Sequence, residues 1–204
     1  MSRTFALVLV PSLIVATVAG CTVYPSLEPP RVMDFSAESP VPKATRTHAF
    51  SLRIDTPYAS DPLGSNKILA KPTPLEFRIY DGVRWRDTAP VVVRDLLVTS
   101  FREAGAFNSV ISDTNPADAD WTLVSELTAF HTEINVGEVH ATIELHGQLV
   151  DNRSRKTLCA ASFVAREEAD NNLIEPVVEA FSAAGKTLSV AVVNWAGDCH
   201  QPES

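Results

Sequence analysis

Residues 138–149 alternate with a period of two. Val139, Ala141, Ile143, Leu145 and Leu149 point one way; Glu138, His140, Thr142, Glu144, His146 and Gln148 point the other. Successive side chains leave opposite faces of a sheet, so this stretch reads as a strand with one buried and one wet face. Whatever the chain folds into must bury one side of it.

The flanks extend that frame. Trp121, Leu123, Leu127 and Ala129 place a strand before it. Asp151-Asn152-Arg153-Ser154 makes a hairpin loop, and residues 158–165 follow, apolar on both sides as expected of a more central strand. Strands with short links are most simply an antiparallel meander. Earlier in the chain, Phe50, Leu52 and Ile54 alternate with polar residues, as do Leu75, Phe77 and Ile79; residues 65–70 fit a short edge strand, and 107–111 another.

Two helices complete the pattern. Asp87 or Thr88 can cap the first, Pro90 suits its first turn, and Val93, Leu96, Leu97, Phe101 and Ala104 form an apolar face that Gly105 ends. The second spans 171–196, with Val177, Phe181, Ala184, Leu188, Ala191 and Trp195 as its stripe and Gly197 as its stop. The order β-β-α-β-β-β-β-α predicts an α+β fold: a mostly antiparallel sheet with two helices on one face.

The first residues do not belong to that domain. Arg3 precedes an apolar run, residues 5–18, too short to span a bilayer comfortably, and the run closes on Val18-Ala19-Gly20-Cys21. This is the pattern of a lipoprotein signal peptide over residues 1–20, with Cys21 as the lipidation site; the alternatives are an ordinary signal peptide with a chance cysteine, or an uncleaved anchor. Acyl chains on Cys21 would hold the protein at a membrane, each buried methylene contributing roughly 0.8 kcal/mol. Thr22 follows Cys21 where enterobacterial inner-membrane retention uses aspartate, which points to the outer membrane, periplasmic face, with the inner membrane left open. Residues 21–46 hold Pro25, Pro29, Pro30, Pro40 and Pro42 and read as a lipidated tether, with a short extended piece near 31–35 able to pair with the domain. A single domain over 47–199 and a tail of 200–204 complete the organisation.

Charge and cysteine usage bound the partners. The formal net charge is −8, about −9 once Arg3 is removed with the leader, so the chain has no basic footprint for nucleic acid. Beside Cys21 only Cys159 and Cys199 remain. An even pair in an exported protein suggests a disulfide, worth about 4 kcal/mol for a loop of roughly 40 residues; the alternative is two separate buried thiols.

No catalytic motif emerges: Ser-x-x-Lys, G-x-S-x-G, H-E-x-x-H and a glycine-rich phosphate loop are all missing, and no cofactor or metal is indicated. His140, Glu144 and His146 share a strand face, but His140 and His146 would lie roughly 20 Å apart, beyond the reach of one metal. Trp85 and Trp195 read as core. Tyr80 and Arg84 are the candidate partner surface, since aromatic and arginine side chains are enriched where partners bind.

Tyr80-Asp-Gly-Val-Arg84-Trp85, then an apolar helix and Ala104-Gly105-Ala106-Phe107, with Leu149-Val150-Asp151, Ala161-Ser162-Phe163, Val178-Glu179-Ala180-Phe181 and the closing Asn194-Trp195, resemble one family in order and spacing. It is the ABC-type transport auxiliary lipoprotein component family, PqiC-like. The resemblance implies a fold like the N-terminal domain of TolB and a non-enzymatic periplasmic role beside an MCE-domain protein in intermembrane lipid transport. It also implies a possible homo-oligomeric ring. A structural envelope-assembly lipoprotein that aids an outer-membrane complex is the competing expectation.

Overall fold

The computed structural model describes residues 28–36, 41–135 and 137–199. The strands are β1 (Arg31–Met33), β2 (His48–Ile54), β3 (Leu69–Thr73), β4 (Glu76–Ile79), β5 (Val83–Trp85), β6 (Phe107–Ser112), β7 (Trp121–Asn135), β8 (Glu138–Asp151) and β9 (Lys156–Ala169). The helices are α1 (Ala89–Ala104) and α2 (Ile174–Asp198).

The long strand β7 is the axis of a seven-stranded sheet. β8 pairs with it antiparallel along its length, and β9 pairs antiparallel with β8. On its other side β7 meets β2 near its start and β3 near its end, both parallel. β6 lies outside β2, also parallel, and β4 closes the far edge beside β3. The sheet is therefore mixed: its two longest pairings are antiparallel, as expected, while the pairings of β2 with β6 and β7 and of β3 with β7 are parallel, which was not. Alternation along a strand fixes its faces but carries no direction. Here α1 carries the chain back to the starting end between β2 and β6, and a strand–helix–strand crossover yields parallel neighbours.

Both helices pack on one face. α2 lies against β8 and β9, α1 against β6 and β2, and the two touch each other. α1 starts after Thr88 with proline in its first turn and ends at Gly105, whose φ of 68° is left-handed and whose N–H bonds the Phe101 carbonyl. α2 begins later and ends slightly later than expected. Its buried stripe runs through Val177, Phe181, Ala184, Leu188, Val192 and Ala196, while Ala191 is exposed. By length and composition α2 could cross a membrane, yet half of its apolar window is buried within this domain.

Two further details differ from the sequence reading. A bulge between Leu127 and Ala129 shifts the parity of β7, so Phe130 turns toward the helices and Ala129, itself buried, shares the face of Glu144. Residues 158–165, expected to be central, lie on β9 at the sheet edge, with Val164 64% exposed. The piece near 31–35 expected to be able to pair with the domain does so: β1 pairs parallel with β5, and Phe35 beyond it packs on Trp85 and Phe130.

The core has an aromatic centre. Trp85, Phe130 and Phe181 are essentially inaccessible and meet in tilted and edge-on pairs at centroid distances of 5.0–5.3 Å. Along the α1 side, Arg94 bonds Asp95 on its own helix and Asp113 after β6, while Arg86 joins Asp95 to Asp34. Burial pushes the Asp95 carboxyl up, but hydrogen bonds and charge from Arg86 and Arg94 outweigh it and hold the group below its ordinary value. This chain of ion pairs stitches the N-terminal segment, α1 and the sheet together.

Candidate partner surface

The histidines of β7 and β8 face away from the helices, while Glu167 of β9 accepts a hydrogen bond from Thr187 of α2. His146 Nδ1 lies 3.0 Å from the Ser162 hydroxyl across the strand pair, and His140 stands directly opposite Glu133 and Glu168 in register. Arg166 reaches Glu133 at 3.4 Å, across the intervening β8. Among the described residues no three His, Cys, Asp or Glu side chains converge on a metal-sized site. This row is a sheet face of local pairs, and His140, Glu144 and His146 do not come together.

His131 is the one histidine of this face that is nearly inaccessible, at 4% exposure. Phe77 sits edge-on to it at 5.4 Å, and its Nδ1 has no hydrogen-bond partner. Burial, helped by the Lys71 charge and opposed by Glu133, holds its pKa below the ordinary 6.5. The unfolded chain therefore binds the proton more tightly than the folded one. Stability contributed by neutral His131 is complete above about pH 6.5 and falls as pH drops through that value toward the lower folded pKa. Urea midpoints measured from pH 7.5 to 5.5 are expected to fall for the native chain and to fall less for His131→Gln. Parallel curves for the two would count against a buried neutral imidazole.

The hairpin of β3 and β4 borders His131 and carries the densest apolar exposure described. Leu75, Phe77 and Ile79 share the alternation of one face and are 98%, 40% and 50% exposed. The sequence explains why they stay outside. Pro72 and Pro74 flank the turn, which suits an edge hairpin, and β4 has a neighbour on one side only. Lys71 Nζ sits 5.4 Å from the Phe77 ring centroid. Residues 67–86 hold Lys67, Lys71, Arg78, Arg84 and Arg86 against Glu76 and Asp81, a surplus of three positive charges in a chain of net charge −8.

The two side chains expected at a partner surface adjoin this hairpin but are engaged internally. The half-buried Tyr80 hydroxyl bonds Thr132 at 3.1 Å and the Asn172 side chain, and burial raises its pKa. Arg84 donates to the carbonyl of Trp85 at 3.0 Å. Trp85 itself is core. Sequence reasoning missed Leu75, Phe77 and Ile79 as surface because their alternation also describes a half-buried strand. The prolines beside them were the available signal. Cys159 and Cys199 are joined by a disulfide with Cα atoms 6.0 Å apart, tying β9 to the end of α2. Cys21 and the leader lie outside the described residues.

Fold and surface define a two-layer α+β domain with an exposed apolar hairpin at one sheet edge. The chain belongs to the ABC-type transport auxiliary lipoprotein component family, whose model matches residues 33–193. Among solved structures, protein XCC0632 from Xanthomonas campestris superposes with a TM-score of 0.77 at 20% identity, covering 82% of this chain and 95% of that one. A second uncharacterized protein superposes with a TM-score of 0.62 at 16% identity, covering 83% and 99%. At these identities the likeness is one of fold. An uncharacterized protein of Bradyrhizobium diazoefficiens is 25% identical over 154 residues, which is 74% of this chain and 41% of that protein. The chain thus spans less than half the length of that relative.

Proposed function

We propose that this protein is a non-enzymatic accessory lipoprotein of an MCE/ABC-type system that moves lipid, or another hydrophobic substrate, between membranes. In this reading acyl chains on Cys21 anchor it at the periplasmic face of the outer membrane, and its domain docks the periplasmic tunnel there. The family match across residues 33–193 carries the reading. The surface supports it: an apolar hairpin with local positive charge, on an otherwise acidic protein, fits an acidic protein partner that offers apolar anchors. In this reading Tyr80, which directly follows β4 and is tied to Thr132 of β7, and Arg84 lie at the margin of that surface. The expected likeness to the N-terminal domain of TolB belongs to the same proposal.

One experiment with two arms tests it. Full-length protein should sediment with membranes, and Cys21→Ser protein should not. A photo-crosslinking residue at Phe77 or Ile79 should capture the MCE-domain protein of the same system. Capture of an outer-membrane barrel protein in its place would favour an envelope-assembly role. Unmodified Cys21 on freely soluble protein would remove the anchor from the account.

A further inference from the structure

β9 extends over 14 residues, and among the described residues it pairs only with β8. At about 3.3 Å per residue its free edge is roughly 45 Å long. Proteins that stay apart keep such edges short, or interrupt them with proline or charge. β4 follows that rule, with four residues beside Pro72 and Pro74, and β6 has six. The middle of β9 does not. Residues 158–165 contain no charge, proline or glycine, and Ala160, Ser162 and Val164 are exposed along them. The one irregularity, opposite Leu149 and Val150, is confined to the hairpin end.

Charge gathers at the two ends with opposite sign. Arg153, Arg155 and Lys156 outnumber Asp151, which stands opposite Lys156, at the hairpin end; Glu167, Glu168 and Asp170 mark the other, where Arg166 is turned toward Glu133. We propose that β9 is the interface of a two-fold homodimer, in which two copies pair this strand antiparallel and join their sheets. Allowing for the extra residue at the bulge, self-pairing centred on Ser162 sets Lys156 of one copy opposite Glu167 of the other, and a centre half a residue later sets it opposite Glu168. The two-fold axis makes each match twice. A parallel alignment would set like charges side by side, which is destabilising between neighbouring strands. A second copy is thus the occupant that the charges of this edge fit. The β3–β4 hairpin, on the other edge, stays free, so the dimer is independent of the transport reading.

The test is sedimentation velocity of the full-length chain in detergent at roughly 100 µM, a concentration suited to a small interface. The native chain should be dimeric. Arg153→Glu with Lys156→Glu should weaken the dimer at least ten-fold at low salt, and so should Glu167→Lys with Glu168→Lys. All four changes in one chain should restore it. Ser162→Cys gives a check that leaves the charges untouched: oxidation should yield a disulfide-linked dimer at position 162, or with cysteine at neighbouring 160 or 164. A monomeric native chain overturns the proposal. So does a ring whose assembly ignores these charges, one-sided variants that dimerise like the native chain, a fourfold variant that stays monomeric, or no crosslink at all three positions.

Discussion

Trp85→Ala is expected to lower the unfolding free energy by about 3–5 kcal/mol, the usual cost of deleting a buried large aromatic. Trp85 is completely inaccessible and touches three other rings: Phe35 at 5.7 Å, Phe130 at 5.3 Å and Phe181 at 5.3 Å. These come from the N-terminal segment, the central strand and the last helix, so one indole holds three distant parts of the chain together. Its removal opens a cavity whose walls belong to separate elements, and such walls relax poorly. Trp85→Phe should behave differently. The Trp85 indole N–H is buried without a hydrogen-bond partner among the described residues, so phenylalanine removes an unsatisfied donor while keeping most of the ring contacts. Urea unfolding of both variants separates the effects: a large loss for alanine and a small one for phenylalanine. Equal losses would mean that the indole's shape, beyond its apolar bulk, is what the site requires. No loss for alanine would remove Trp85 from the centre of the fold.

The same residue shows what was legible in the sequence. Trp85 was readable as core at the corner ahead of the first helix, whereas the three-residue strand β5 that carries it was not. The β8 alternation survives intact in the structure, with Val139, Ala141, Ile143, Leu145 and Leu149 all buried. Helix starts and stops were readable where backbone chemistry is local, as at Pro90 and Gly105. What depends on distant partners was not. The bulge after Leu127 exchanges Phe130 for Ala129 on the face toward the helices, and no local signal marks it. Strand direction follows from the crossover through α1. The edge position of β9 depends on how many neighbours arrive, so an apolar run that suits a central strand ended at the rim. Leu75, Phe77 and Ile79 were missed for a related reason: they alternate like half-buried residues, and whether another layer covers their face is not written in the strand itself.

Replacing Cys159 and Cys199 together by serine is expected to cost about 4 kcal/mol, within the 2–5 kcal/mol typical of native disulfides. The bond joins residues 40 apart and closes a loop containing most of β9 and all of α2. Without it the unfolded chain regains the freedom of that loop. The native state has less reason to change, because the end of α2 is held twice more. His48 Nε2 donates to the Gly197 carbonyl at 2.7 Å, and Trp195 packs against Phe163 with centroids 5.3 Å apart. The prediction is therefore specific: near-native spectra for the double variant, with a much lower urea midpoint. Reductant should bring the native protein down to the same midpoint and leave the variant where it is. A midpoint that neither reductant nor replacement moves would show that the bond contributes nothing to stability. A loss of that size on reduction would suit a chain built for an oxidising compartment, where such bonds persist, and so would agree with an exported, membrane-anchored protein.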